Sequence, residues 1–583
     1  MKRISVPFLL AALLCQLSLC ALYAVGQTEY FDVKAPSTFL FTDKLVYAPG
    51  ETQSLMMAQN GSLNPFPFEN QFAGYFLYLE NLQTGEKLYH PGYNPNGPIT
   101  DIFNNPADPA GGHFILYRVP TATFTWFGSG GIFGGARPVP TTPGQYRWVM
   151  ELRDTEGVYI QSRGFAPFNV VSAIETIPNE ITTDTTLTND KAYVMSGFVF
   201  VRPPATLTIQ PGTVVLGDSA TSGLVVTQGA KIHAVGTKRR PVVFTSAAPV
   251  GDREPGDWFG IAIAGYAPIN IPGGVGQVEG VEGEVPYGGN DPDDNSGTMR
   301  YVRVEYAGAQ FTTDSEANGL YLNGVGRGTV LEYLHFNQNQ DDNIEFYGGT
   351  AQVKYVYCTG GGDDQFDWTE GFQGKAQFVI TQVFADSFGN RGIEADNLSS
   401  DNDATPRSNP TIYNMTIIGP QQDYSQDEGN ADHGLRLRRG TAGKLFNFIV
   451  MGYGLSAITV NDSATENQAN AGNLDFDHSI LWNNALFGDN GEGNASRPFG
   501  NEFTKNWLDV PTKKVFTDLD PRLVDPYNEI TPDYSPGYKS PALRIDVVKV
   551  PPDDGFFEHV DFIGGMSPFY NWLEGGWAYV TPW

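Results

Sequence analysis

A five-residue pattern recurs between residues 222 and 460 of the chain and limits its fold more than any other feature. The copies are Ser222-Gly223-Leu224-Val225-Val226, Phe259-Gly260-Ile261-Ala262-Ile263, Asn318-Gly319-Leu320-Tyr321-Leu322 and Asp342-Asn343-Ile344-Glu345-Phe346. They continue in Asp364-Gln365-Phe366-Asp367-Trp368, Arg391-Gly392-Ile393-Glu394-Ala395, His433-Gly434-Leu435-Arg436-Leu437 and Ser456-Ala457-Ile458-Thr459-Val460. Positions three and five are apolar while position four varies freely, which is the period-2 signature of a strand with one buried face. The copies start 37, 59, 24, 22, 27, 42 and 23 residues apart. The short steps fit single turns of a β-solenoid, and the long ones fit turns carrying inserted loops. Propeller blades need roughly 40–50 residues each, which the short steps do not supply.

A second strand recurs in fixed order with the first. Its copies are Tyr301–Tyr306, Leu331–Phe336, Val353–Cys358, Phe378–Ile380, Ile412–Ile418 and Leu445–Val450. Two strands per turn in constant order is what stacked coils require, because each coil buries its apolar face only against its neighbours. Parallel strand–crossover–strand units are right-handed, so the expected body is a right-handed parallel β-helix.

At 583 residues the chain is too long for one compact core, and its ends read differently from the repeats. Lys2 and Arg3 precede an apolar run from Val6 to Leu14, and Ala24-Val25-Gly26 supplies small residues before Gln27. This is the layout of a cleaved secretory signal. Leu17-Ser18-Leu19-Cys20 also resembles a lipobox, which would make Cys20 a lipid anchor, whereas a retained membrane anchor lacks its stop-transfer flank. No later apolar run is long enough to span a bilayer. Residues 27–172 hold short strands between Gly/Pro turns. Asp43-Lys44-Leu45-Val46-Tyr47-Ala48-Pro49-Gly50-Glu51 and Thr142-Pro143-Gly144-Gln145-Tyr146 resemble the edges of Ig-like sandwich domains.

The opening coils carry a broader likeness. Thr206-Leu207-Thr208-Ile209-Gln210-Pro211-Gly212-Thr213, Ala230–Thr237 and Pro241–Ser246 resemble secreted bacterial β-helix proteins. The likeness continues through Gly256-Asp257-Trp258, Tyr287–Gly297 and Arg300–Tyr306, and ends in Ser540–Leu543, Asp554–Phe557 and Asn571–Leu573. As a set these resemble poorly characterised cell-surface β-helix proteins of Bacteroidota-like bacteria. The resemblance implies fold and location, and almost nothing about chemistry. The expected organisation is a signal over 1–26, an Ig-like β-sandwich over 27–172, and a linker with a first strand over 173–199. A parallel β-helix over 200–499 and a C-terminal cap over 500–583 complete it.

A net charge of −29 excludes nucleic acid and anionic lipid as partners, because both would be repelled. Clustered carboxylates suit hard divalent cations instead. With Cys15 and Cys20 in the signal, Cys358 is left alone, so no intrachain disulfide is expected; its place in a strand pattern marks it as a small core residue. No His pair has zinc spacing, and neither G-x-S-x-G nor a phosphate-cradling loop occurs.

Position four of the repeat faces away from the core, so Glu345, Asp367 and Glu394 should stack as a carboxylate ladder ending at Arg436, with Asp341, Asp342, Asp363 and Asp364 beside it. Like charges about 4.8 Å apart raise one another's pKa unless a cation or an arginine intervenes. A Ca²⁺ site, a catalytic acid group and a solvated acidic face all remain open. The loop Asp291-Pro292-Asp293-Asp294-Asn295 places oxygen ligands at alternate positions (Asp291, Asp293, Asn295), although an ordinary Asx-turn loop is the preferred explanation. The run Glu394, Asp396, Asn397, Asp401, Asn402, Asp403 reads as a solvated insertion.

β-Helix galacturonases carry N-x-D, D-D, G-H-G and R-x-K motifs. Asn339-Gln340-Asp341, Asp363-Asp364, His433-Gly434 and Arg436-Leu437-Arg438 resemble them. That resemblance would assign Asp341, Asp363, Asp364, His433 and Arg436 to catalysis. It departs from the pattern where Asp432 replaces the first Gly and where His433 falls two coils beyond the acids. The expectation is therefore a non-catalytic surface protein for binding, adhesion or assembly, with envelope proteins or surface glycans as partners, in a homo-oligomer or a larger surface assembly. A polysaccharide-degrading hydrolase or lyase is the alternative. Tyr321 is a candidate for stacking on sugars, Trp368 a core residue, and the aromatic tail Trp572–Trp583 a docking segment.

Overall fold

A computed structural model describes residues 37–578 apart from 43, 54, 61–71, 90–112, 115–136, 155–159, 282, 313–314, 386, 388, 422–432, 485–497 and 530–531. The expected signal, with Cys20 and Gln27, lies outside the described residues. Residues 46–170 contribute an antiparallel sheet of Ile160–Val170, Gly144–Asp154, Phe72–Asn81 and Lys87–Tyr89, with Val46–Tyr47 pairing parallel at its edge. Ser37–Thr42 and Leu55–Asn60 form a separate antiparallel pair.

The body is a parallel β-helix. Ten short strands, from Glu180–Ile181 through Asp364–Thr369 to Ser456–Val460, stack in one parallel sheet. Register puts Leu224, Ile261, Leu320 and Ile344 in one column, and Phe366, Ile393, Leu435 and Ile458 in the same interior line. All eight are fully buried in one apolar core, as position three of the repeat requires. Trp368 and Cys358 are buried in that core too. Stacking begins earlier than expected: Ala173–Thr176 pairs with Lys191–Met195, and Glu180–Ile181 with Phe198–Val201, all parallel. Residues 173–199 are therefore coils of the solenoid, not a linker.

The second strand of each coil bends. In Gly297–Glu305, Val330–Asn337, Gln352–Thr359, Lys375–Gln382, Thr411–Ile418 and Gly443–Met451 the ladder skips one residue. Those residues are Tyr301, Tyr333, Tyr355, Phe378, Asn414 and Asn447, all left-handed with φ between 51° and 63°. Each bend opens a further face, so a coil has three faces rather than two. A left-handed non-Gly residue costs roughly 1–2 kcal/mol. Stacking offsets much of this: ring centroids are 4.4 Å apart from Tyr301 to Tyr333, 4.4 Å from Tyr333 to Tyr355 and 5.1 Å from Tyr355 to Phe378, each pair contributing about 0.5–1.5 kcal/mol.

The last coils are covered by two helices, α1 (Ser463–Asn470) and α2 (Glu502–Leu508), started by the N-caps Asp462 and Asn501. Phe499, Phe503 and Trp507 pack against the core there. The rest of the C-terminal segment does not cap the end. It turns back along the bent strands, so that Trp572 meets Tyr355, and Trp577 meets Tyr301 and Tyr333, edge-to-face. Trp572 and Trp577 are buried against their own chain, which removes the described part of the tail as a docking segment. At its far end Arg147 donates to the Gly575 carbonyl at 3.4 Å.

Candidate functional site

Two outward columns of the short sheet carry the candidate chemistry. Position four runs Tyr321, Glu345, Asp367, Glu394, Arg436, Thr459, as expected from the repeat. Position one places Asp364 opposite Arg391 and His433 opposite Ser456. The Asp364 N–H donates to Asp342 Oδ1 at 2.8 Å, joining the preceding coil to the same column.

The ladder exists but it is not a solvated face. Glu345, Glu394, Asp342 and Asp364 are only 8%, 6%, 5% and 2% exposed. A buried ionised carboxylate is costly unless it is paired or hydrogen-bonded, and the two flanks of the ladder resolve that cost differently. On the C-terminal flank, Arg391 Nη1 bridges Asp364 Oδ2 at 3.2 Å and Glu394 Oε1 at 2.8 Å. Arg438 pairs with Glu394 through Nη2 and with Asp396 through Nε at 2.8 Å, and Arg439 reaches Asp396 at 2.7 Å. Burial still lifts Asp396 to about 6 against these arginines, and lowers Arg438.

Pairing is weaker on the N-terminal flank, where Arg391 Nη1 lies 3.8 Å from Asp363 Oδ1. Oxygens of Asp341, Asp342 and Asp363 converge within 4.8 Å of one another, and so do those of Asp342, Glu345 and Asp367. A third such group, Asp364, Asp367 and Glu394, joins the two flanks. Burial first, and then neighbouring carboxylates, raise Asp341, Asp342 and Asp367. Burial lifts Glu345 to about 8, even though Asn318 Nδ2 donates to its Oε2 at 2.5 Å and favours the ionised form. Glu370, which accepts from the Tyr287 hydroxyl at 2.7 Å, is lifted to about 7. Two oxygens bound to one Ca²⁺ at about 2.4 Å lie at most about 4.8 Å apart, so each convergent group has the span of a hard-cation site.

Residues 179–499, more than half of the chain, match the family described as the pectate-lyase-like β-helix domain. The chain belongs to that family. No curated protein matches this β-helix. Among solved structures it is similar to the family 28 exopolygalacturonase of Yersinia enterocolitica, at 11% identity over 83% of this chain and 99% of that one, with a TM-score of 0.16. So low a score carries no weight for activity.

The galacturonase-like set is not one constellation in this β-helix. Asp341 and Asp363 meet at the acidic flank, while Asp364 is held by Arg391. His433 is two coils further along, its Nδ1 2.8 Å from Ser456 Oγ. Arg436 lies 3.8 Å from Glu394. Asn339 belongs to a buried amide chain, donating to Asn343 Oδ1 at 2.7 Å, and Asn343 donates to Gln365 Oε1 at 2.7 Å. The Asp291 loop is not gathered around a common point either. Asp291 and Asn295 accept from the backbone N–H groups of Asp293 and Gly297, and Asp293 pairs with Arg327 at 2.7 Å. Tyr321 is fully buried, stacked on Phe259, and offers no ring to a sugar.

The run after Glu394 is not a solvated insertion at its start, because Asp396 and Asn397 are buried and only Asp401 and Asp403 close an exposed turn. Arg391 and Arg439 were missed by reading acids alone. Arg391 was available, since it occupies position one of its repeat, directly after Asp364 in the column.

Proposed function

We propose that this β-helix is an exported, non-catalytic envelope protein whose buried acidic flank holds a divalent cation, calcium foremost. The observation supporting the cation is the set of interlocking carboxylates: Asp341, Asp342, Glu345 and Asp367, whose pKa values are raised first by burial, with an oxygen of the partly exposed Asp363 converging on Asp341 and Asp342. Such a group must either hold protons or hold a cation. The signal layout at the N-terminus supports export to the outer-membrane surface or beyond. The antiparallel strands of 46–170 are consistent with an Ig-like sandwich presenting the solenoid, and surface glycans or envelope proteins are its partners. Calorimetric titration of chelator-treated protein with Ca²⁺ tests the cation. Heat absent in the native protein at pH 8, or binding unaltered in Asp367→Asn and Glu345→Gln, contradicts the reading.

A polysaccharide-degrading enzyme is the second reading, favoured by one observation. Glu345 holds its proton near neutrality and Asp364 is paired with Arg391 at 3.2 Å, and acid-base cleavage of a glycosidic bond needs one protonated and one ionised carboxyl. We expect no turnover of polygalacturonate, alginate or neutral glycans. Turnover lost in Asp364→Asn, with the fold intact, would establish the enzyme instead.

A further inference from the structure

At the opposite end of the short strands from the acids, the returning C-terminal segment forms one wall of an open cavity of about 460 Å³. Its walls include Arg327, Gln352, Gln373, Lys375, Asp554 and Phe556. Gln352 and Lys375 stand in adjacent register on the outer face of the bent strands. Lys375 Nζ is 2.6 Å from Asp554 Oδ2, which puts a donor and an acceptor side by side. Phe556 is half-buried, with Lys354 Nζ 5.0 Å and Lys375 Nζ 6.0 Å from its ring centroid.

We propose that this cavity binds an uncharged, hydroxyl-rich sugar ring. The chemistry is specific in three respects. First, the ion pair Lys375–Asp554 offers adjacent donor and acceptor groups, matching the two roles of vicinal hydroxyls. Second, two primary amides, Gln352 and Gln373, add donors and acceptors, and because Gln373 Nε2 already donates to the Arg407 carbonyl at 3.2 Å, Gln352 is the main amide donor. Third, the Phe556 ring supplies an apolar wall for the C–H face of a pyranose, as sugar sites commonly combine few polar groups with an aromatic surface. The volume falls within the range of small-ligand pockets, about 300–1,000 Å³. Arg327 is paired with Asp293 and Lys375 with Asp554, so the walls carry no surplus charge that an acidic sugar would need in a chain of net charge −29. The site stands apart from the acidic flank and does not depend on a cation there.

The test is saturation-transfer NMR on the intact protein with galactose, mannose, glucose and xylose, and with galacturonate as the acidic control. At least one neutral sugar should receive saturation, with a dissociation constant on the order of millimolar, and binding should weaken about tenfold in Gln352→Ala. Phe556→Ala should weaken it as well. Because that variant loosens the returning segment, Gln352→Ala, whose side chain is half-exposed, is the decisive one. No transfer to any neutral sugar, equal transfer in Gln352→Ala, or tighter binding of galacturonate than of every neutral sugar overturns the proposal.

Discussion

Gln377 and Glu558, 181 positions apart in the chain, exchange two hydrogen bonds: Nε2 of Gln377 donates to the Glu558 carbonyl at 2.8 Å, and its Oε1 accepts from the Glu558 N–H at 2.7 Å. Asn447 does the same with Lys549, at 2.8 Å in each direction. A side-chain amide thus replaces a neighbouring strand, and the returning segment is held as a sheet edge would be, without forming one.

Gln377→Ala leaves that donor and acceptor unmatched. A loss of about 1–3 kcal/mol is expected, together with faster protease cleavage within 549–578 and unchanged far-ultraviolet dichroism of the solenoid. Cleavage at the wild-type rate would show that the amide exchange does not hold the segment.

Stability without divalent cations should fall as pH rises from about 4.5 to 8. Glu345 keeps its proton in the folded state up to about 8, whereas an unfolded glutamate releases it near 4.3. Within that window the folded state binds more protons than the unfolded chain, which sets a slope on the order of 1.4 kcal/mol per pH unit for a full proton. Below the unfolded pKa no penalty remains. Urea midpoints at pH 5, 6.5 and 8 in chelator measure it, and a flat or rising profile contradicts it.

Glu345→Gln separates this group from the general repulsion of an acidic chain. The neutral isostere removes the charging penalty, so the variant should be more stable than wild type at pH 8 in chelator and indistinguishable at pH 4.5. It should also gain less than wild type from added Ca²⁺. For wild type, saturation at a hundredfold excess over Kd adds about 2.7 kcal/mol. A variant gaining as much as wild type would remove Glu345 from the cation's ligands.

Arg391→Ala breaks the bridge between Asp364 and Glu394. Removing one partner of a buried ion pair costs about 3–5 kcal/mol. Asp364→Asn combined with Glu394→Gln in the same chain should restore part of it. A double-mutant cycle on melting temperatures reads this out, and additive losses would show that the three groups are not coupled.

The interior column from Leu224 to Ile458 and the order of the acid ladder were legible because period-2 alternation survives every insertion between coils. The bend was not legible: Tyr301, Tyr333 and Tyr355 look like ordinary strand residues, and nothing local marks a tyrosine as left-handed. Its support comes from stacking on neighbours 22 to 32 residues away and from Trp572 and Trp577. Burial of the acids was illegible for a related reason. Position four correctly signals an outward direction, but whether outward means wet depends on Asn318, Arg391 and Arg438 arriving from other coils. Pairwise motif matching misled at Asn339, where a buried amide chain occupies a place that a catalytic signature would also fill.

The returning segment has a consequence for the order of events. Coils can add one upon another as the chain emerges, since each needs only the coil before it. The cover over Tyr301, Tyr333 and Tyr355 is built from residues that follow every coil in the sequence. Until those residues arrive, a ridge of stacked rings faces solvent along the solenoid. An incomplete chain would therefore be folded yet sticky, and completion of the chain rather than completion of the coils is what covers the rings.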